Sequence, residues 1–431
     1  MSVVATCAAA SRRASALASV VPPSRRTFGM ADMDPRAWLT IIGIGEDGVD
    51  GLCSAGRAAL ARAELVMGSA RHLALLPALT CAVFKWPVPF ADGIAELLAH
   101  RGRRVVMLSS GDPFWFGAGA SLARHLGPAE WVAHPAPSTF SLAAARLGWP
   151  IEETACLGLH AAPLDRLCPH IAPAQRAIVL LRDGDAVATA AQYLTSKGFG
   201  PSTLHVMEAL GGPHERLRVT TAQALPFADI AHPVAVGIAF AGSGNVLPVT
   251  SGRPDAWFDH DGQITKAPVR ALTLSALAPR AGEWLWDIGT GSGSIAIEWL
   301  LAHPANRATA FEADPLRAGR ARANAKALGV DRLDVINARM PEGLPEGPHP
   351  HAVFIGGGLS DPLLDALWAR LPDGTRLVAN AVSLESEAAL TRWHGAKGGS
   401  LLRIELADAV PLGQRHGWKG RYPVVQWSVT L

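Results

Sequence analysis

Asp287, the alternating glycines Gly289, Gly291 and Gly293, and Glu312 are the residues whose types and spacing most directly suggest chemistry. The apolar run Trp284–Ile288 reads as a short buried strand, and a helix pattern follows the glycines. Three positions without Cβ let a backbone lie against a ligand, and a helix start offers free N–H groups. Several nucleotide folds share such a turn, so the next acid narrows the reading. Glu312 closes the following apolar run, 312 − 293 = 19 residues after the last glycine. A carboxylate at that distance can take the two ribose hydroxyls of a nucleoside. Thr290 and Ser292 sit inside the turn and Thr265 lies upstream. Asp287 has two readings: it anchors a ligand's ammonium group, or it braces the loop.

A second group of loops lies nearer the start. Gly43 and Gly45 follow the apolar run from Trp38 to Ile44. Gly111, Asp112 and Pro113 follow Arg103–Ser110, and Ser138 and Thr139 sit in His134–Ser141. A short loop with Gly, Asp and Pro at a strand end is a ligand-loop candidate; the plainer reading is a turn that starts the helix near Gly117.

The elements that must position these loops alternate between strand and helix. From Trp38 to about Gly242 the pattern predicts two α/β lobes built on a largely parallel sheet, with the second half repeating the alternation. Expected strands there are 65–68, 177–182, 203–209 and 232–240, with a helix over 186–196. A loop rich in Gly, Pro and Ser, residues 243–256, separates this unit from 257–431. Within 257–431, Asp314-Pro315 caps a helix that runs to Leu328. Strands are expected at 333–338, 351–355, 375–382, 400–406 and 424–429, which predicts a doubly wound, Rossmann-like domain. Residues 1–37 are rich in Ala, Ser and Arg, with no acid before Asp32. They resemble a transit segment, but an upstream start codon with Met30 or Met33 as the true start is preferred, and a disordered extension is expected.

Composition bounds the class. Hydrophobic residues make up 49% and charged residues 18%, which suits a well-cored soluble protein. There are 39 basic and 37 acidic residues, so bulk charge gives no argument for nucleic acid. No apolar run reaches the length of a membrane span. The five cysteines are odd in number and form no Cys-x-x-Cys pair, which reads as reduced thiols in a cytoplasmic enzyme. No spacing supports a metal site.

The motifs carry resemblances. Asp-Ile-Gly-Thr-Gly-Ser-Gly at 287–293, with Asp261-Gly262-Gln263-Ile264-Thr265-Lys266, resembles the decarboxylating precorrin methyltransferase domain, a class I S-adenosyl-L-methionine (SAM) methyltransferase. Ile42–Gly48, Ser110–Gly117 and Pro135–Ser141 resemble the tetrapyrrole (corrin/porphyrin) methylases. A fusion in this order is similar to the decarboxylating methyltransferases of cobalamin biosynthesis. The resemblance implies SAM as cofactor and a tetrapyrrole (precorrin-6Y) as substrate, methylated at carbons 5 and 15, with loss of the carbon 12 acetate carboxylate to give precorrin-8X. It assigns carbon 5 to 38–242, and carbon 15 with the decarboxylation to 257–431. It further implies that Thr265, Gly289, Thr290, Gly291, Ser292 and Gly293 line SAM, that Glu312 holds the ribose, and that Ala338 flanks the adenine. In the first unit it implies a folded SAM between the lobes, with Gly43, Gly45, Gly111, Asp112, Pro113, Ser138 and Thr139 as cofactor-loop residues. A homo-oligomer is expected.

The sequence departs from the family at Arg339, where an acid is usual; an arginine there could meet a substrate carboxylate, but a solvated surface arginine is the preferred reading. Lys266, Arg270, Arg415, Lys419 and Arg421 are further candidates for the substrate's carboxylate arms. For Gln414–Arg421 an exposed hairpin with solvated charges is the competing reading. The residue that moves the proton is not assigned. Competing functions are the cobalt-containing substrate of the anaerobic route, an RNA methyltransferase, and a SAM-binding regulator without chemistry.

Overall fold

The protein is described by a computed structural model over residues 37–431, so the reading of 1–37 lies, apart from its last residue, outside the described residues. The first lobe is a five-stranded parallel sheet in the order Ala82–Lys85, Leu65–Gly68, Val105–Ser110, Leu39–Ile44, Trp131–His134. Its two central long strands are mostly apolar and buried along nearly their whole length because both faces are covered. Their carboxyl ends carry the loops at Gly45 and Gly111.

The second lobe departs from the expected parallel sheet. Its order is Ala155–Gly158, Arg176–Leu181, Val234–Ala239, Thr203–Glu208, Arg216–Thr221, and only the first pair is parallel. The Arg216–Thr221 strand was hidden by its polar, partly exposed face. It pairs with Thr203–Glu208 after a short turn, as antiparallel neighbours can without a crossover helix.

Residues 257–431 form a seven-stranded sheet in the order Asp334–Asn337, Arg307–Glu312, Trp284–Ile288, Ala352–Ile355, Arg376–Ala381, Val424–Thr430, Ser400–Ile404. All pairs are parallel except those of Val424–Thr430, which inserts antiparallel between its neighbours. Helix Ser294–Ala302, which follows the glycine turn, is buried on nearly every side and apolar around most of its circumference, with Glu298 the charged exception. Helix Pro315–Ala327 starts as expected, with Asp314 accepting from the N–H groups of Leu316 and Arg317. No helix among the described residues is long and apolar enough to cross a membrane.

The two halves meet through a defined contact. Arg166 forms a two-pronged ion pair with Asp331, at 2.7 and 3.0 Å. Cys168 packs into the same apolar cluster as Leu328 and Val330. The connecting segment is anchored on the second half, where Glu298 accepts from the backbone N–H groups of Gly252 at 2.7 Å and Arg253 at 3.0 Å.

Glu298 also accepts from Arg270 Nε at 2.7 Å, and both side chains are fully buried. Arg270 further donates to Asp255 at 3.1 Å and to the carbonyls of Thr265 and Arg253, and it stacks over Phe258. Arg270 is therefore not a substrate-facing cation, contrary to the sequence expectation: its donors are spent inside the core. Replacing Glu298 with alanine removes the fully buried counter-charge of Arg270, leaving it only Asp255, and orphans the Gly252 and Arg253 N–H groups, so urea unfolding should show a loss of about 3–5 kcal/mol. A loss under about 1 kcal/mol, the scale of an exposed pair, would contradict this.

Candidate functional site

A cavity of about 970 Å³ opens over the carboxyl ends of the central strands in residues 257–431. This is where doubly wound sheets take their ligands. Gly289, Thr290 and Gly291 form its floor, with Thr265, Glu312, Ala338, Arg339 and Lys266 on its walls. The turn needs its glycines. Gly289 has φ +69°, and a Cβ there would lie 2.6 Å from the Gly357 backbone. Gly291 has φ +57°, and a Cβ there would meet only the Gln263 carbonyl at 3.7 Å, so its face is open to the cavity. Glu312 reaches across the turn: one oxygen accepts from Gly291 N–H at 2.8 Å, the other from Asp314 N–H at 3.0 Å. The remaining acceptor capacity of its carboxylate is free for hydroxyls in the cavity.

Asp287 lies beneath the turn, fully buried and outside the cavity lining. Its Oδ2 accepts from the Thr290 hydroxyl at 2.7 Å and from Ala296 N–H at 3.1 Å, and Oδ1 has no partner. These contacts are those of a loop brace. Burial pushes its carboxyl up to about 7, against the opposing pull of the Thr290 and Ala296 hydrogen bonds. Ser292 and Gly293 also lie behind the cavity wall. The Ser292 carbonyl accepts from Asn324 at 2.9 Å, and Gly293 N–H closes the turn on the Thr290 carbonyl at 2.9 Å.

The three cations of the C-terminal loop separate. Residues Ala407–Leu412 and Arg415–Gly420 form a two-stranded hairpin, with Arg415 and Lys419 exposed and away from the cavity. The hairpin reading therefore holds for that pair. Arg421 does line the cavity, but it is tied in a two-pronged pair to Asp408, with Nη2 at 2.6 Å. Arg339 lines the cavity, and Lys266 does so while standing 3.7 Å from Asp255. The sequence reading missed Gly356–Gly358, Asn380 and Tyr422 in this wall. Gly356–Gly358 follow a predicted strand end, whereas Asn380 lies within a predicted strand and Tyr422 just before one.

A second cavity, of about 520 Å³, lies between the two sheets of the first half. Gly45, Gly111, Asp112, Ser138 and Thr139 line it. Gly43 and Pro113 do not: a Cβ on Gly43 would collide with the Gly111 carbonyl and the Ala136 amide, so that glycine serves loop packing. Pro113 is buried, and its carbonyl accepts from Gly119 N–H at 2.9 Å. Ser138 has a local task as well, capping helix Thr139–Leu147 through Ser141 N–H.

Sequence reasoning overlooked a polar cluster on this cavity. Arg71 pairs with Glu46, and its Nη2 lies 2.7 Å from Ser110 Oγ and 2.9 Å from His72 Nε2. His72 is 2.8 Å from the same serine oxygen. Burial, then the Arg71 charge, lowers the His72 imidazole to about 4, so it stays neutral at neutral pH.

Comparisons with known proteins follow the same division. The family described as tetrapyrrole (corrin/porphyrin) methylases matches residues 38–226, and the family described as precorrin methyltransferase domain matches residues 256–431. A Sinorhizobium protein named precorrin-6Y C(5,15)-methyltransferase [decarboxylating] is 49% identical over 91% of this chain and 96% of its own length. A Mycobacterium tuberculosis protein of the same name is 41% identical over 91% of this chain and 99% of its own. The solved C-terminal domain of precorrin-6Y C5,15-methyltransferase from Rhodobacter capsulatus is 50% identical, with 43% of this chain and all of that one covered at a TM-score of 0.42.

Folding favours the protonated Asp287, whose carboxyl rises from 3.8 to about 7. That contribution to stability is full below pH 4 and is lost as pH rises through 7. Asp287→Asn should flatten the fall of Tm between pH 5 and 8 relative to wild type. Parallel Tm profiles for the two proteins would contradict the assignment.

Proposed function

The chain belongs to the decarboxylating precorrin-6Y C(5,15)-methyltransferases, and from that membership we propose that its two cavities are separate SAM-dependent methylation centres for one tetrapyrrole. The family acts in cobalamin biosynthesis. Its full-length relatives here bear the name of the cobalt-free substrate, so the cobalt-containing alternative is not favoured. One observation carries the division of labour: the cavities share no residue. The first is lined from Ile44 to Ala235 and the second from Gly262 to Val424. The first is assigned carbon 5, the second carbon 15 and the decarboxylation.

Bound SAM would supply an electrophilic methyl group on a sulfonium. In the second cavity, Glu312 takes the ribose hydroxyls, the open face of Gly291 and the Thr290 turn receive the amino-acid end, and Ala338 flanks the base. In the first, the Gly45, Gly111–Asp112 and Ser138–Thr139 loops cradle the cofactor between the lobes. The enzyme's work is largely alignment of an electron-rich ring carbon with the methyl, worth on the order of 7–11 kcal/mol. Loss of carbon dioxide leaves an electron pair that the conjugated macrocycle can take up. Arg339 and Lys266 are the cations of the second cavity that meet carboxylate arms. The cytoplasm is the compartment this reading assigns, where Cys53, Cys81, Cys156 and Cys168, all unpaired, stay reduced.

Mass spectrometry of the tetrapyrrole product should show two methyl groups gained and one carbon dioxide lost. An unchanged substrate, or a doubly methylated product retaining every carboxylate, would contradict the reading. Glu312→Gln should weaken SAM binding at the second centre about ten- to a hundredfold, leaving a product methylated at carbon 5 alone. Equal loss of both methylations would contradict the separation of the centres.

A further inference from the structure

The strand order divides the second cavity. Its glycine turn, Glu312 and Ala338 lie over strands Trp284–Ile288 and Arg307–Glu312 and beside Asp334–Asn337. The opposite wall comes from the ends of Arg376–Ala381, Ser400–Ile404 and Val424–Thr430, and includes Asn380, Val382, Leu406, Tyr422 and Val424. Asn380 is the member of that wall whose orientation is fixed from behind by buried groups.

The hydrogen-bond count determines how its carboxamide faces. Thr273 is fully buried, and its hydroxyl donates to the Val269 carbonyl at 2.8 Å. A hydroxyl carries one proton, so towards its other neighbours Thr273 only accepts. It receives Asn380 Nδ2 at 2.9 Å and Gln426 Nε2 at 3.0 Å. Gln426, also buried, gives its second N–H to Asn380 Oδ1 at 3.0 Å. The amide therefore cannot flip without setting donor against donor, which would cost the desolvation of unpaired groups. One Asn380 N–H has no partner within this network, and Asn380 borders the cavity.

We propose that this N–H receives a carboxylate oxygen of one of the tetrapyrrole's acidic arms, making Asn380 a substrate-binding residue of the second centre. The inference rests on the assignment of that cavity to carbon 15 and the decarboxylation. A decarboxylating enzyme must hold at least one substrate carboxylate, and an oriented amide holds it without a strong ion pair. The Thr273–Gln426 pair behind Asn380 pre-orients the donor, so little rotamer freedom is lost on binding.

The test uses the full chain with SAM and precorrin-6Y. Asn380→Ala should raise the tetrapyrrole KM for the decarboxylated, carbon-15-methylated product about tenfold or more. SAM affinity and methylation at carbon 5 should stay at wild-type values, while Tm falls modestly because the buried Gln426 amide loses an acceptor. Asn380→Asp, nearly isosteric, should be worse than alanine at neutral pH because it faces a like charge, and should recover as pH falls and its carboxyl protonates. An unchanged KM in Asn380→Ala, a parallel loss of SAM affinity, or an aspartate variant as active as wild type at neutral pH would each overturn the proposal. If Asn380→Ala does not fold, Asn380→Ser gives the same KM readout. A wild-type chain that neither methylates nor decarboxylates would instead refute the assignment of the cavity, and so separates the two failures.

Discussion

Two carboxylates fix one glycine turn from opposite sides. Glu312 accepts Gly291 N–H from the cavity side, and Asp287 accepts the Thr290 hydroxyl from beneath. Between them the backbone holds three alternating glycines, 289, 291 and 293, in the left-handed region, a geometry that side chains at those positions would resist. The helix that follows is packed on nearly all sides, so the turn rests on an immobile base. Once the turn is set, the open face of Gly291 and the Glu312 carboxylate have fixed places at the cavity.

A second buried arrangement ties that site to the rest of the chain. Arg270 holds the Thr265 carbonyl on the cavity wall and the Arg253 carbonyl on the connecting segment, while Glu298 neutralises it. The approach to the second half and the edge of its cavity thus share one guanidinium. The Arg166–Asp331 pair and the packing of Cys168 beside Leu328 and Val330 join the halves at a different place. The two cavities are chemically separate while the polypeptide around them is continuous.

Much of this was legible in the sequence. Apolar runs marked the parallel strands because those strands are covered on both faces, and the Asp314-Pro315 cap marked a helix start. The glycine turn was readable because its left-handed backbone demands glycine at fixed spacing, and Glu312 because it closes the next apolar run. Other features were not. The antiparallel second lobe was missed because its edge strand Arg216–Thr221 is polar and the strand-helix alternation was extended too far. Arg270 read as a substrate cation because charge is visible in a sequence and burial is not. Ser292, Gly293, Gly43 and Pro113 belong to the loop motifs but support the loops from behind. Arg71 and His72 with Glu46 and Ser110, and Asn380 with its buried supports, bring together residues far apart in the chain, which spacing alone does not reveal.

The central claim is that one chain carries two independent cofactor sites. Calorimetric titration of the full-length protein with SAM tests it most directly. Saturation at two molecules per chain, falling to one when Glu312 is replaced, is the predicted result. A single molecule per chain in the unaltered protein at saturation would contradict it.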